Sequence, residues 1–121
     1  MAEPIVLEQQ ATVTGSSEQQ DARLAAEVGR YRELSFFVTA QVSGSGTFTI
    51  GAQTAIEKSA ALFVNAVATA SFLTFTPTSD RTKVLQLDAF GAYLRWTGWV
   101  SQQGVTATFS VQLVPKEADG W

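Results

Sequence analysis

One sequence pattern occurs twice in this chain. Residues 29–50 and residues 91–111 both begin with Gly-x-Tyr and continue with alternating apolar and polar residues. Each then passes through a polar turn that contains glycine and ends in a second alternating stretch with a central phenylalanine. Two alternating stretches around a short turn are typical of a β-hairpin. The repeat therefore predicts an all-β domain assembled from two similar β-hairpin halves.

The alternation is clearest in three stretches of the chain. Apolar side chains occupy every second position there, which is the pattern of a strand with one buried face. Pro115 is expected to end the last of these strands, because proline has no N–H for a sheet ladder. The predicted buried faces are Leu34, Phe36, Val38, Ala40 and Val42; Leu94, Trp96, Gly98 and Val100; and Val105, Ala107, Phe109, Val111 and Leu113.

The rest of the chain completes a single domain over residues 1–121. Further strands are predicted over residues 61–65, 71–76 and 82–88, while the region 54–70 stays open between helix and strand. Residues 1–14 form either an N-terminal arm or the first strand, and residues 116–121 form a short C-terminal tail. Many short strands predict an antiparallel β-sandwich, and the absence of cysteines favours a jelly-roll-like arrangement over an immunoglobulin domain.

Composition removes most kinds of active site. The chain has no cysteine and no histidine, so it has no disulfide, thiolate nucleophile or Ser–His pair, and few options for a transition metal. The carboxylates are scattered, and Glu27 and Glu33 beside the first Gly-x-Tyr are interpreted as solvated loop charges. We therefore predict a protein that is not an enzyme, with no catalytic, cofactor-binding or metal-binding residues.

Charge and hydropathy narrow the partners further. The net charge of −3 argues against a nucleic-acid-binding surface, which is normally basic. The longest weakly apolar run, residues 60–75, is too short and too polar to span a bilayer. The first residues do not resemble a signal peptide. We expect a soluble protein made in the cytoplasm, without nucleic acid or membrane as partners.

Aromatic residues on the polar faces of the strands are the candidate functional residues. Phe37 and Trp99 occupy equivalent places in the two repeats and are predicted to point outward, with Tyr93 and Arg95 on the same face as Trp99. Such residues often anchor an interface or a ligand platform. The alternative is core packing, if the sheet is covered on both faces or a bulge shifts the register.

The chain ends carry apolar residues where polar ones are usual. Ile5 and Leu7 lie in an otherwise polar N-terminal stretch, and Trp121 is the last residue of the sequence. These side chains are candidates for contacts with a neighbouring subunit. For Ile5 and Leu7 the alternative is that they belong to the first strand of the domain.

The second repeat resembles a known kind of protein. Its Phe-Gly-Ala-Tyr-Leu-Arg-Trp segment (residues 90–96) and its Thr-Phe-Ser-Val-Gln-Leu segment (residues 108–113) are similar to small β-sandwich decoration or cement proteins of tailed-bacteriophage heads. The resemblance implies a virion protein, made in the host cytoplasm, that stabilises a capsid lattice. Its partner would be the major capsid protein or another virion protein, and it would be a homo-oligomer, with a trimer as the first expectation.

A carbohydrate-binding β-sandwich module, from a phage tail or fibre or from a secreted protein, is the alternative hypothesis. Sugar sites use flat exposed aromatic side chains, and Trp99 with Tyr93 and Phe37 would form such a platform.

Overall fold

The computed structural model describes residues 4–117, which form ten β-strands and three single-turn 3-10 helices. No helix in this part of the chain has the length and hydropathy to cross a membrane. The 3-10 turns are Ala22–Leu24, Ala60–Leu62 and Thr69–Ser71. The strands are β1 (Ile5–Val13), β2 (Glu18–Gln19), β3 (Ala26–Glu27), β4 (Tyr31–Ser43), β5 (Phe48–Ala55), β6 (Val64–Asn65), β7 (Leu73–Phe75), β8 (Thr82–Leu87), β9 (Tyr93–Val100) and β10 (Thr106–Glu117).

The strands form two antiparallel sheets that pack face to face. Sheet A has the order β1-β10-β4-β8. Sheet B has the order β2-β9-β5-β6, with β3 also paired to β9 and β7 also paired to β5. All of these pairings are antiparallel. The antiparallel β-sandwich predicted from the sequence is confirmed.

The core lies between the sheets and contains the predicted faces of β4, β9 and β10. Every apolar residue named for those three faces is buried. An aromatic group occupies the centre: Phe48 lies 5.1 Å from Phe109, and Trp96 meets Phe109 edge-on at 4.8 Å between ring centroids. Each such ring contributes roughly 2–3 kcal/mol through burial, so this contact holds the two sheets together.

The two repeats are present, but the prediction of a hairpin in each was wrong. The chain leaves β4 in sheet A and enters β5 in sheet B, then later leaves β9 in sheet B and enters β10 in sheet A. Strands of one repeat therefore pair with strands of the other, β4 with β10 and β5 with β9. Alternation identifies the buried face of a strand but not its partner, and this is why the sequence pattern was compatible with both arrangements.

Glycines make the corner within each repeat, between β4 and β5 and between β9 and β10. Gly44 has φ +102° and Gly104 has φ +91°, a region that side chains with a Cβ rarely adopt. The corners also touch, because a Cβ built on Gly44 would stand 2.8 Å from the carbonyl oxygen of Gly104. The two repeats are thus in contact at this end of the sandwich.

The end of β10 differs from the sequence prediction. β10 continues through Pro115 to Glu117 instead of ending at the proline. Within the described residues, the pairing of β1 with β10 starts at Ile5 and Leu113, so β10 has an open edge beside Pro115, and a missing N–H is tolerated there.

The open region 54–70 contains little regular structure. β5 continues to Ala55, and the predicted strands over 61–65 and 71–76 shorten to β6 and β7. The 3-10 turns at Ala60–Leu62 and Thr69–Ser71 lie in the remainder, which otherwise consists of bends and irregular loop. Residues 56–72, here called the 56–72 segment, connect β5 to β7, and their buried Phe63 and Phe72 contact residues on the outer face of β9.

Candidate functional site

The predicted aromatic platform is divided between the two sides of the sandwich. Phe37 lies on the outer face of sheet A, opposite the buried Phe36 and Val38. Tyr93 and Trp99 lie on the outer face of sheet B. Because equivalent strands of the two repeats belong to different sheets, equivalent side chains point in opposite directions. A single platform made of all three aromatic residues was therefore a wrong prediction.

Trp99 points away from the core, as predicted, but another ring covers it. The centroid of Phe72 lies 5.8 Å from that of Trp99, with 42° between the ring planes. Phe72 is itself buried, since it fits over Gly51 of the neighbouring strand β5. Trp99 is consequently half-buried and holds the 56–72 segment against sheet B.

Arg95 is buried within the protein and is not an exposed interface residue. Its Nε donates to Gln53 Oε1 at 2.9 Å, and its Nη1 donates to the backbone carbonyl of Gln20 at 3.1 Å. The guanidinium carbon lies 4.3 Å from the ring centroid of Phe63. Burial lowers the pKa of Arg95, and the Asp21 carboxylate partly opposes this. These contacts give Arg95 a structural role beneath the 56–72 segment.

The residues predicted at the chain ends have separate outcomes. Leu7 is buried in the core, and Ile5 packs against the core while it pairs with Leu113. Both belong to strand β1, which corresponds to the alternative interpretation given above. Trp121 lies outside the described residues.

The two Gly-x-Tyr motifs meet at one end of the sandwich. The Val28 N–H donates to the Ala92 carbonyl at 2.8 Å. A Cβ built on Gly29 would stand 3.3 Å from the Ala92 Cα, so glycine permits this close approach. Alternating strand geometry alone would not have revealed this contact, although the matching Gly-x-Tyr starts of the repeats were a usable signal.

A pocket opens where the two motifs touch. Its volume is about 400 Å³, and four of its five lining residues come from the two repeats, two from each. Volumes of roughly 300–1,000 Å³ are usual for small-molecule sites. We refer to it as the Gly-x-Tyr pocket, and its lining residues are Glu27, Gly29, Arg30, Ala92 and Tyr93.

The Gly-x-Tyr pocket combines one aromatic ring with charged groups. Tyr93 is half-buried and rests against a small apolar cluster that includes Ala55 and Phe63. The Lys58 Nζ lies 5.6 Å from the Tyr93 ring centroid. Glu27 is the register partner of Tyr93 across strands β3 and β9, and both residues line the pocket. Tyr93 is thus the predicted site residue that the structure places in a pocket.

Arg30 is held in a defined position at the pocket wall. Its Nη2 donates to the Tyr31 hydroxyl at 2.7 Å, and its guanidinium carbon lies 4.9 Å from the centroid of the Tyr31 ring. A planar guanidinium oriented in this way presents several fixed donors. The sequence analysis missed Arg30 and treated Glu27 as a loop charge, because the spatial contact between the two repeats is needed to bring them together.

The residues around the pocket do not form a metal site or a pair of catalytic carboxylates. Within residues 4–117 there is no group of three or more Asp, Glu, His or Cys residues that could hold a metal ion. Glu27 is the one carboxylate among the residues that line the pocket. Glycoside hydrolysis usually requires two carboxyl groups across a cleft. The arrangement is suited to holding a polar ligand.

Comparisons with known proteins bear on the fold. No protein-family model matches the sequence, and no curated protein is similar to it. A solved chain of Clostridium thermocellum endo-1,4-β-D-xylanase 10B, with its CBM22-1 and GH10 modules in complex with xylohexaose, has a similar structure. The TM-score is 0.50 at 7% sequence identity, and the similar region covers 93% of the present chain. It spans 26% of the xylanase chain, so the likeness concerns the β-sandwich fold alone.

Proposed function

We propose that this protein is a carbohydrate-binding module without catalytic activity, and that the Gly-x-Tyr pocket is its ligand site. The observation that carries the proposal is that Tyr93, Glu27 and Arg30 line one pocket of about 400 Å³, with Glu27 the register partner of Tyr93. This volume is suited to a ligand of one or two sugar residues, with the rest of a glycan outside.

The chemistry of the lining matches that of a sugar ring. A pyranose has a C–H face, which packs well on the negative face of an aromatic ring, and hydroxyl groups around its edge. Carboxylate and guanidinium groups make the stronger, charge-assisted hydrogen bonds, and a planar group can serve two neighbouring hydroxyls at once. Tyr93 would take the C–H face, while Glu27 would accept and Arg30 would donate hydrogen bonds.

The fold is compatible with this role. The xylanase chain with a similar structure carries a carbohydrate-binding module and was solved with a xylo-oligosaccharide. This supports a β-sandwich scaffold for glycan binding and leaves the identity of the sugar open. The lone carboxylate of the pocket lining supports binding without hydrolysis.

Titration calorimetry with xylohexaose, cellohexaose and mannohexaose tests the proposal. Tyr93→Ala should weaken the binding of the preferred oligosaccharide by roughly 10- to 100-fold, because it removes the stacking surface. Glu27→Gln should weaken it less. Glu33→Gln, on strand β4 of the other sheet, is the matched carboxylate control and should bind like the native protein. Binding that Tyr93→Ala does not change would refute the assignment of the pocket.

The capsid-stabilising role implied by the resemblance to phage decoration proteins stays a prediction. It is tested separately by sedimentation with phage heads and by the native mass in light scattering. A trimer that binds heads and none of the oligosaccharides would replace the carbohydrate hypothesis.

A further inference from the structure

An apolar row crosses the outer face of sheet A, on the opposite side of the sandwich from Tyr93. The strand registers place Val6 beside Gln112, Gln112 beside Phe37, and Phe37 beside Val84. The three apolar members are 57%, 38% and 42% exposed in the order Val6, Phe37 and Val84. With neighbouring strands about 4.8 Å apart, the row spans roughly 14 Å across four strands.

A groove of about 290 Å³ lies next to this row. It exists because β1 loses its register with β10 between Glu8 and Ala11, and no Cα partner on β10 is assigned to Gln9 or Gln10. Such a bulge moves side chains outward and frees backbone groups. The lining consists of Gln9, Gln10, Thr39, Ala40, Gln41, Arg81, Thr108, Phe109 and Ser110.

The outward-facing residues of β10, β4 and β8 around the row are uncharged over several rows, and the groove lining includes one charged residue, Arg81. In β10, β4 and β8, no outward-facing residue between the row of Ser35 and the row of Ser43 is charged. Arg81 stands at the rim of the groove. The outward-facing residues are Thr106, Thr108, Ser110, Gln112 and Val114; Ser35, Phe37, Thr39, Gln41 and Ser43; and Thr82, Val84 and Gln86.

We infer that this face of sheet A is a second ligand surface, which binds an extended, uncharged polysaccharide chain. Hydroxyl and amide side chains offer both donors and acceptors to a neutral polyol, and they give no electrostatic attraction to an acidic polymer. Phe37 supplies the stacking surface, and the groove receives the chain beside it. The surface is distinct from the Gly-x-Tyr pocket and does not depend on it.

Gel retardation with two chemically matched polymers tests this inference. Hydroxyethylcellulose is neutral and carboxymethylcellulose is anionic on the same backbone. The Tyr93→Ala variant should still be retarded by hydroxyethylcellulose and much less by carboxymethylcellulose. Adding Phe37→Ala should lower the apparent affinity for hydroxyethylcellulose at least tenfold, while Phe37→Trp should preserve or raise it.

Leu62→Ala is the matched control, because Leu62 is 42% exposed on the segment beside sheet B. It should leave retardation unchanged. Four results overturn the inference: no retardation of the native protein by the neutral polymer, retardation that persists in Phe37→Ala, retardation that Tyr93→Ala alone abolishes, and stronger retention by the anionic polymer. A native mass that falls in Phe37→Ala would identify the face as a protein interface and would also overturn it. Loss of oligosaccharide binding in Tyr93→Ala with intact hydroxyethylcellulose retardation separates this surface from the pocket.

Discussion

The ring of Phe72 covers Gly51, and a Cβ built on Gly51 would fall within that ring. Gly51 lies in the middle of β5, where a side chain on the outer face would occupy the space that Phe72 fills. The packing of the 56–72 segment on sheet B therefore depends on the absence of a side chain at this position.

Gly51→Ala should displace Phe72 and reduce the free energy of unfolding by about 1–3 kcal/mol, as overpacking usually does. Urea denaturation measures the change. Phe72→Ala should itself cost roughly 2–4 kcal/mol through lost burial. In the Phe72→Ala background, Gly51→Ala should cost clearly less, because the clash is gone. Equal costs in both backgrounds would show that the ring does not limit this position.

Glu8 and Trp96 join the edge of sheet A to sheet B. The indole Nε1–H of Trp96 donates to Glu8 Oε1 at 3.0 Å. Glu8→Ala should lower the unfolding free energy by about 1–3 kcal/mol, since a largely buried N–H loses its acceptor. Glu8→Gln keeps an acceptor and should cost less. Thermal unfolding followed by tryptophan fluorescence measures both, and equal losses would contradict the assigned bond.

Arg95 should matter for stability and not for ligand binding. Arg95→Met retains much of the aliphatic packing but removes the donors to Gln53 and Gln20. We expect a loss of about 1–3 kcal/mol in urea denaturation, because buried acceptors are left unpaired. Arg95→Lys should not restore the native stability, since one ammonium cannot reproduce the fork geometry. Full loss of oligosaccharide binding in a folded Arg95→Met variant would contradict this role.

We expect Asp21 to make a small, acid-dependent contribution to stability, because its ion pair with Arg23 is exposed to solvent. The side-chain hydrogen bond with Arg23, helped by the Arg23 backbone N–H, lowers the pKa of Asp21 from 3.8 to about 2. The pKa is lower in the folded state, so this contribution to stability is complete above about pH 4 and is lost as the pH falls toward 2. Asp21→Asn should flatten the melting temperature between pH 4 and pH 2. Asp80→Asn is the control, and an equal effect there would refute the assignment.

Period-two alternation was sufficient to predict the buried faces of β4, β9 and β10. It works because each of these strands has one face on the core, and side chains alternate strictly. It did not identify strand partners, since the same apolar face suits a hairpin or a crossing between sheets. The strand partners depend on the corners at Gly44 and Gly104, where the chain crosses to the other sheet. The sequence pattern does not indicate whether the chain folds back or crosses at these corners.

The candidate site was predictable only in part. Tyr93 was identified from its outward position, whereas Arg95 and Trp99 were interpreted without the segment that lies over them. The sequence contained one indication that Phe72 covers this face, namely Gly51 in the interior of β5. A glycine inside a strand often marks a close approach by another group. Glu27 and Arg30 share a pocket with Tyr93 only because segments about sixty residues apart along the chain come into contact.

The exchange of strands between the repeats also affects how the chain must fold. No strand of one repeat can complete its ladder until the other repeat, about sixty residues away, has been made and brought into place. Folding dominated by such distant pairings is typically slow, on the order of milliseconds to seconds. β10 follows β1, β4 and β8 along the chain and is the central partner of both β1 and β4, so sheet A remains incomplete until β10 has been made.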